Sequence, residues 1–341
     1  MENSRKAIVS IGCSSQKIKK SIKDCLEGFS YDDVASGSSD SISLTLNNSD
    51  LRFIRDQMPK KGDKLTPIIS LYNWTSNGIT KRIHAGRMVL DDLSFDGAPH
   101  TCTIGAVSMP AKGEFKDGKP THTYKSASIE EIARKIAKRA GIALYYSAPH
   151  IVVKNVEQSK TSDSEFLLSL CNEYGLGIKI YNGKIVIFNE EMYENKRPVA
   201  NITLLKGNVA SYSWNTTLQK TYTGAKVSYT DAKTNKKHQI KIGKAGRMLN
   251  VDVTAYSKRD AQLKAKALLA AENKKRVTMT VDIMPNPKII ATATVTATVQ
   301  LKKAGKLSGK YYVDKVTHKV SKSGGYVMSL ELHKVYKRTC R

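Results

Sequence analysis

The sequence of 341 residues contains no run of about 18 apolar residues, the length that a membrane-spanning helix needs. The apolar segment near the N-terminus, residues 7–11, is too short for the core of a secretory signal. Cysteine is scarce: the five cysteines, at positions 13, 25, 102, 171 and 340, lie far apart and form no CxxC pair. An odd number without metal-binding spacing indicates reduced, structural thiols. We therefore expect a protein that is made and kept in a cytoplasm and does not enter a membrane.

Signatures of catalysis are also missing. The seven histidines form no HExxH or HxH motif and no pair with cysteine at metal spacing; they lie at positions 84, 100, 122, 150, 238, 318 and 333. No GxSxG, P-loop or dinucleotide fingerprint is present. The sequence thus predicts a protein that is not an enzyme and needs no metal or cofactor, and we assign no catalytic, cofactor-binding or metal-binding residue.

Two pairs of neighbouring carboxylates invite a catalytic interpretation, Asp91-Asp92 and Glu190-Glu191. Paired carboxylates perform acid–base chemistry or bind a cation when both point at one place. Adjacent residues of a strand point to opposite faces, so these pairs are not expected to converge on a substrate. A turn or surface role is favoured for both.

Two histidines and two tryptophans have a structural explanation beside a functional one. His318 and His333 lie in the last two predicted strands, where we interpret them as cross-strand partners rather than ligands. Trp74 and Trp214 could stack on bases or sugars. Their positions within apolar strands favour core or interface packing instead.

Positive charge dominates the composition, with a formal net charge of +26. Residues from 201 onward hold 28 Lys and Arg against 7 Asp and Glu, or +21, so the first 200 residues carry only +5. Such asymmetry indicates an anionic partner for the C-terminal region: nucleic acid, an acidic protein surface or a cell-wall polymer. The alternative is a solvated basic surface that only aids solubility, because charge alone identifies no partner.

The central stretch, residues 126–188, repeats one pattern. Each half opens with a serine followed three residues later by a glutamate, a capping box that satisfies free backbone N–H groups at a helix start. Apolar residues then recur at helical spacing, a glycine ends the helix, and a short apolar strand follows. The serine, glutamate and glycine of the two halves are Ser128, Glu131 and Gly141, and Ser162, Glu165 and Gly175. Asn182-Gly183 predicts a hairpin turn into a further strand. This stretch is a compact α/β module of two helix–strand units.

Strand patterns flank the module on both sides. Before it, turn-bounded strands within residues 35–110 predict an antiparallel sheet, most simply closed as a small barrel. After it, strands resume at residue 201, and a single helix at 257–275 is followed by four β segments. Residues 112–120 form a polar linker into the module. The second region is therefore a β-rich domain with one packed helix.

The closing strands carry a recognisable motif. They read Gly309-Lys-Tyr-Tyr-Val-Asp-Lys-Val-Thr-His318 and Gly324-Gly-Tyr-Val-Met-Ser-Leu-Glu-Leu-His333. An earlier hairpin, residues 89–107, contains Leu90-Asp-Asp-Leu-Ser-Phe95. These segments and the order of the central module resemble the phage late control protein D family, the baseplate hub proteins of contractile phage tails and phage-tail-like bacteriocins. The resemblance covers about residues 35–335; the segment 286–291 departs from the family pattern, and the first thirty residues match nothing in it.

The resemblance implies a trimeric hub that joins the six-fold tail tube to the three-fold central spike. In that family two tube-like barrels in each chain give six similar barrels from three subunits. The expected partners are a homotrimer's other copies, the tail tube protein, the spike protein and other baseplate proteins, with no membrane and no specific nucleic acid. The expected location is the baseplate of a virion or tail-like particle, assembled in a bacterial cytoplasm.

The fold that follows is α+β and mainly β, with two tube-like antiparallel β-barrel domains and an inserted α/β module of two helix–strand units. We place the domains at 1–110 for the first barrel, 111–200 for the module and 201–341 for the second barrel with its packed helix at 257–275. Strands at 201–230 could instead complete the first barrel.

Two other functions stay open at this point. A cell-wall-binding module associated with a tail lysin would bind peptidoglycan, and the central pair of helices with short strands resembles small glycan-binding modules. Nucleic-acid binding rests on charge alone, because no basic helix or aromatic-lined basic motif supports it.

Overall fold

The computed structural model describes residues 4–109, 114–205, 207–219, 221–231, 234–299 and 306–336. Strands hold 49% of the residues and helices 18%, so the predicted α+β, mainly β class is confirmed. The strands form one 13-stranded sheet and three small sheets of two or three strands. Within the described ranges, no helix is both long and apolar enough to span a bilayer.

The first region is a curled sheet around its own core. Its elements in chain order are β1 (Lys6–Cys13), α1 (Gln16–Cys25), β2 (Leu26–Val34), β3 (Ser41–Asn47), β4 (Lys64–Tyr72), β5 (Thr80–His84), β6 (Met88–Asp96) and β7 (Thr101–Val107). The strands lie in the order β1-β4-β6-β7-β3-β2, all antiparallel, with β5 added on β4. Alternate residues of β3 point into the core, because successive side chains of a strand face opposite ways: Ile42, Leu44 and Leu46 are buried there with Ile22 of α1.

The central module follows. Its elements are α2 (Glu114–Asp117), β8 (His122–Ser128), α3 (Ile129–Ala140), β9 (Ala143–Ser147), β10 (Val152–Gln158), α4 (Asp163–Glu173), β11 (Leu176–Tyr181), β12 (Lys184–Asn189) and α5 (Glu190–Glu194). Strands β8 and β10 pair with each other, and the other three form a sheet in the order β11-β12-β9. Each repeat is thus a strand, a helix and a strand, one strand longer than the sequence pattern indicates.

The local signals that predict this module are confirmed. The Ser128 hydroxyl accepts from the Glu131 N–H and the Glu131 carboxylate accepts from the Ser128 N–H, and Ser162 with Glu165 repeats both bonds. Asn182 and Gly183 both have positive φ, 48° and 72°, as a two-residue hairpin turn requires.

The second region begins with two strands, continues with three further strands and one helix, and ends with four strands. Its elements are β13 (Ala200–Thr203), β14 (Val209–Thr216), β15 (Gly224–Asp231), β16 (Lys237–Gly243), β17 (Met248–Ala255), α6 (Lys258–Lys274), β18 (Val277–Ile283), β19 (Thr294–Thr298), β20 (Gly309–Ser321) and β21 (Gly325–Lys334). Six of the strands lie in the order β13-β19-β20-β21-β18-β14. The other three form a separate sheet, β16-β15-β17, on which α6 packs.

These pairings correct one expectation about the second region. Strands at 201–230 do not complete the first barrel: β13 pairs with β19, β14 pairs with β18, and β15 belongs to the small sheet. The predicted packed helix at 257–275 is present as α6, and its Ala265 and Leu269 bury against the small sheet. The tip of the last hairpin instead reaches the first core, where Tyr326 is buried. The domain boundaries at 110 and 200 stay a prediction.

The two large curled regions share one topology. When their six strands are numbered along the chain (β1, β2, β3, β4, β6, β7 and β13, β14, β18, β19, β20, β21), both run 1-4-5-6-3-2 across the sheet. Both second strands carry a register shift near their start, and both fifth strands carry one within the strand, after Leu90 in β6 and after Val313 in β20. The first strand differs, since β1 pairs antiparallel with β4 and β13 pairs parallel with β19.

This shared register makes residues equivalent one by one. The segment Val313-Asp-Lys-Val-Thr-His318 of β20 corresponds to Leu90-Asp-Asp-Leu-Ser-Phe95 of β6. Likewise, residues 209–216 of β14 correspond to residues 26–33 of β2. The chain therefore contains the same β domain twice.

Neither domain closes as a barrel. In the described part of the chain no pairing joins β1 to β2 or β13 to β14, the strands at the two ends of each curled sheet. The edge of β2 that closure would use is occupied by β20 instead. The two predicted barrels are thus open sheets, and in the first of them the closing edge of β2 is already paired with β20.

Candidate assembly interface

The two curled sheets are joined by one pair of strands, β2 and β20. Residues 28–34 pair antiparallel with residues 315–321, from Gly28 opposite Ser321 to Val34 opposite Lys315. The same edge of β20 pairs with β19 over residues 309–312. One long strand thus belongs to both domains, and backbone hydrogen bonds make the 13-stranded sheet continuous.

Charged and hydroxyl side chains reinforce this seam on one face. The Lys315 Nζ lies 3.2 Å from Asp32 Oδ2, and the Thr317 hydroxyl donates to Asp32 Oδ1 at 2.6 Å. Asp32 lies opposite Thr317, which places Lys315 and Lys319 at the two diagonal positions. Opposite charges at such positions stabilise a strand pair by a few tenths of a kcal/mol up to about 1 kcal/mol each.

Aromatic rings reinforce the other face. The Tyr31 ring stacks on His318 with centroids 5.6 Å apart, and the Tyr326 hydroxyl lies 2.7 Å from His318 Nδ1. Burial lowers the pKa of His318 to about 4, so the imidazole is neutral at pH 7. A neutral ring among two tyrosines adds packing to the seam without a buried charge.

A buried ion network ties the module to both sheets. Lys179 of β11 places its Nζ 2.8 Å from Asp33 Oδ1 and 2.9 Å from Asp40 Oδ1. The Ala291 N–H donates to Asp33 Oδ2 at 2.9 Å, and the Val34 N–H donates to Asp40 Oδ1 at 3.1 Å. One lysine therefore connects the first sheet, the module and the loop before β19.

The electrostatics of this network are set by burial. Burial raises the pKa of Asp40 to about 6, although Lys179 opposes the shift. Burial opposes the charge on Lys179, but Asp33 and Asp40 together raise its pKa, so the lysine stays protonated. The side chain of Asp40 is fully buried and that of Lys179 is 10% exposed, so water cannot take the place of either partner in this ion pair.

A second buried cluster lies where β21 meets α5. His333 Nδ1 is 2.8 Å from Asp314 Oδ2 and its Nε2 is 3.4 Å from Glu194 Oε1. Burial alone would lower the pKa of His333, but Asp314 and Glu194 raise it to about 9. His333 is thus a cation at neutral pH, held between two carboxylates.

A basic cavity of about 410 Å³ opens beside His333, between α6, α5 and the end of β21. Its lining holds five Lys and Arg side chains and two glutamates: Lys244, Lys266, Lys274, Arg276, Lys334, Glu191 and Glu194. Five of the 28 Lys and Arg residues from position 201 onward therefore line one concave surface. Such a surface attracts acidic side chains.

The two pairs of neighbouring carboxylates lie in different environments. Asp91 and Asp92 are both exposed, at the β6 register shift, and do not converge. Glu190 and Glu191 do not lie in a strand as expected; they form the first turn of α5, capped by Asn189. Glu190 is buried and pairs with Lys274, so this pair of carboxylates is divided between core and surface.

Both tryptophans pack against other residues as expected, but Trp74 lies just after the end of β4 and not within a strand. Trp74 lies edge-on to Tyr326 with centroids 5.5 Å apart, and its ring N–H donates to the Lys6 carbonyl at 3.0 Å. The Trp214 ring N–H donates to the Tyr311 hydroxyl at 3.1 Å. His318 and His333 occupy neighbouring strands, as their cross-strand assignment predicts.

Sequence analysis misses the seam and the Lys179 network. Asp33 lies in the first thirty-odd residues, for which no pattern was assigned, and is 146 residues from Lys179. One signal was available: Lys179 alternates with Ile178 and Ile180 in a strand whose other side chains are buried or half-buried. A lysine in such a strand needs a carboxylate partner.

The fold defined by this architecture is that of phage tail proteins. A tail protein from Neisseria meningitidis MC58 superposes with a TM-score of 0.71 at 13% identity, covering 96% of this chain and 97% of that one. The 43 kDa tail protein of prophage MuSo2 from Shewanella oneidensis gives 0.68 at 11% identity, covering 96% and 98%. A component of the E. coli type VI secretion system gives 0.60 at 9% identity, covering 98% and 78%.

The chain belongs to the YQBQ-like family, whose model matches residues 117–333. It is similar to the probable baseplate hub protein of Escherichia phage 186, with 23% identity over 233 residues, 67% of this chain and 57% of that protein. The probable baseplate hub protein of Escherichia phage P2 is 22% identical over 224 residues, 64% and 55% of the two chains. The match thus spans a little over half the length of these relatives, and the predicted resemblance to hub proteins is confirmed.

Replacing Lys179 by Met should destabilise the chain by about 3–5 kcal/mol, because Asp33 and Asp40 would keep buried charges without a partner. The control is Lys184→Met at an exposed position of the neighbouring strand β12, where we expect less than about 0.5 kcal/mol. Urea unfolding at pH 7 measures both. Equal effects of the two substitutions would contradict the importance of the network.

His333 should make stability depend on pH in the alkaline range. Its folded pKa, about 9, lies above the ordinary value of 6.5, so its stabilising contribution is complete below pH 6.5 and is lost as pH rises through 9. The loss amounts to roughly 3 kcal/mol. Unfolding of His333→Gln from pH 6 to 9.5 should lack this slope, and the exposed-site variant His150→Gln should retain it. A His333→Gln profile parallel to that of the parent would exclude the ion pair.

Proposed function

We propose that this chain is a structural baseplate hub protein of a contractile tail or contractile injection particle, which joins the six-fold tail tube to the three-fold central spike as a trimer. The observation that carries the proposal is the duplicated β domain, with one strand order and equivalent register shifts in both copies. Three chains with two equivalent domains each present six similar domains while they keep three-fold symmetry. That is the mismatch a hub must bridge.

The relatives support the same role. Two phage proteins named probable baseplate hub protein match about two thirds of this chain. We propose a tube protein, a spike protein and other baseplate proteins as partners, in the baseplate of a virion or tail-like particle. The role is structural, with no catalytic step assigned to the chain; in the described ranges no cluster of three or more His, Cys, Asp or Glu side chains could hold a metal.

Charge complementarity would guide assembly. The +21 of residues 201–341 and the basic cavity beside His333 favour acidic surfaces on the partners. Interactions between exposed charges weaken as the Debye length shrinks from about 10 Å at 0.1 M salt to about 3 Å at 1 M.

The mass of the purified protein in solution tests the proposal, alone and mixed with the spike protein of the same gene cluster. We expect a trimer, or a monomer that enters a three-to-three complex with the spike. A monomer that forms no complex with the spike protein or the tube protein would refute the proposal that the chain is a hub. Sedimentation with purified peptidoglycan is the control, because a wall-binding module would pellet and a hub need not.

Association with the tube protein should also respond to salt. We expect the affinity to fall at least tenfold between 50 mM and 500 mM NaCl, because the contact joins opposite charges. Isothermal titration with the tube protein measures this. Unchanged affinity would mean that the basic region does not face the tube.

A further inference from the structure

The seam between the domains has an unfilled counterpart. In β20, residues 309–312 pair with β19 and residues 315–321 pair with β2 along the same edge. In the equivalent strand β6, residues 88 and 89 pair with β4 on the corresponding edge. Within the described residues, no strand pairs with that edge at 92–96. The second domain is covered at this place and the first is not.

The strand equivalent to β2 is also open. β14 ends the 13-stranded sheet, with β18 on one edge and no strand of the described chain on the other. Its sequence, Val209-Ala-Ser-Tyr-Ser-Trp-Asn-Thr216, has no charged residue and no proline, and only Val209 and Trp214 are half-buried. Natural proteins protect free edges with charges, proline or a covering element, so an unprotected edge of eight residues indicates a pairing site.

We propose that β14 of one copy pairs antiparallel with β6 of a second copy, in the register that β2 and β20 use within one chain. The proposal rests on the trimer and specifies its contact. Tyr31 opposite His318 translates into Trp214 opposite Phe95, and Asp32 opposite Thr317 translates into Asn215 opposite Ser94. Ser213 then faces Asp96.

Burial along the two fifth strands agrees with this pairing. Val316 and His318 are buried, at 0% and 2% exposure, beneath the seam. Their equivalents Leu93 and Phe95 are only half-buried. A strand from a second copy would cover these two apolar side chains as β2 covers theirs, and burial of apolar area favours association.

Charge selects β14, and not β2, for β6. At the seam Asp32 has Lys315 and Lys319 at its diagonal positions. The corresponding positions of β6 are Asp92 and Asp96, which would repel Asp32. β14 carries the neutral Asn215 where β2 carries its aspartate. The exchange removes the like charge at the one place where the proposed partner is acidic.

The contact is head-to-tail, because β14 and β6 are different surfaces of one chain. Such heterologous contacts generate rings when the rotation closes. Since the contact between copies repeats the contact within a chain, each ring alternates the two kinds of seam and contains an even number of domains. Three copies give six.

Disulfide trapping tests the register directly. The double variant Ser213→Cys with Asp96→Cys, in a Cys340→Ser background, places two thiols at directly opposite positions, within reach of a disulfide. On mild oxidation we expect covalent dimers and trimers on non-reducing gels. The mismatched pair Ser211→Cys with Asp92→Cys lies six positions out of register, and it and each single variant should stay uncrosslinked.

A second pair of variants measures the charge selection without crosslinking. Asn215→Asp recreates the β2 side chain at the position diagonal to Asp92 and Asp96, and it should weaken trimer formation threefold to tenfold. Adding Asp92→Lys and Asp96→Lys, which copies the lysines of β20, should restore it. Asn250→Asp on the exposed face of β17 is the matched control and should have no effect. Analytical ultracentrifugation gives the association constants.

The outcomes separate this contact from the hub proposal. The strand pairing would be overturned, and the hub proposal left intact, by a trimer that forms normally, does not crosslink between positions 213 and 96, and is not weakened by Asn215→Asp. A chain that neither associates nor crosslinks, alone or with the spike protein, would overturn both. Crosslinking in the proposed register together with rescue by the lysines supports the pairing.

Discussion

The antiparallel pairing of β2 with β20 is the constraint on which the rest of the molecule depends. It merges two curled sheets into one, and it uses the edge of β2 that closure of the first sheet would need. Backbone hydrogen bonds of a sheet fix the angle and register of the strands they join. The mutual orientation of the two domains is therefore set by seven residue pairs and not by a flexible linker.

The buried lysine of the module acts on the same constraint. Asp33 lies on the seam strand, and its carboxylate is held by Lys179 and by the Ala291 N–H. A buried ion pair is weak evidence for stability but costs much to break, so it favours a single arrangement over near alternatives. Here the arrangement it favours has the module seated between the two domains. The inserted module thus contacts the seam strand directly, through Lys179 and Asp33.

Local chemistry was predictable from the sequence and long-range pairing was not. The capping boxes at Ser128 and Ser162 and the Asn182-Gly183 turn depend on residues within four positions of one another, so their patterns predict them. The seam joins residues that are about 290 positions apart in the chain, and the two carboxylates that pair with Lys179, those of Asp33 and Asp40, are about 140 positions away from it. Nothing local marks such partners. The small sheet under α6 was not predicted for the same reason. Its strands β15 and β17 pair in parallel although β16 lies between them in the chain.

The internal repeat was visible in the sequence in one place, Leu90-Asp-Asp-Leu-Ser-Phe95 against Val313-Asp-Lys-Val-Thr-His318, where apolar, hydroxyl and aromatic positions coincide. The position that differs is the informative one. Asp92 and Lys315 are equivalent in the backbone and opposite in charge. The partner strands differ correspondingly: β2, which pairs with β20, carries Asp32, and β14, which is proposed to pair with β6, carries the neutral Asn215 at the equivalent position. Duplicated domains could pair in the wrong combination, since their backbones are alike. Two reversed charges on the fifth strand, Asp92 and Asp96 against Lys315 and Lys319, and one neutral residue on the second strand would distinguish the seam within a chain from the proposed seam between copies, because like charges at diagonal positions destabilise a strand pair.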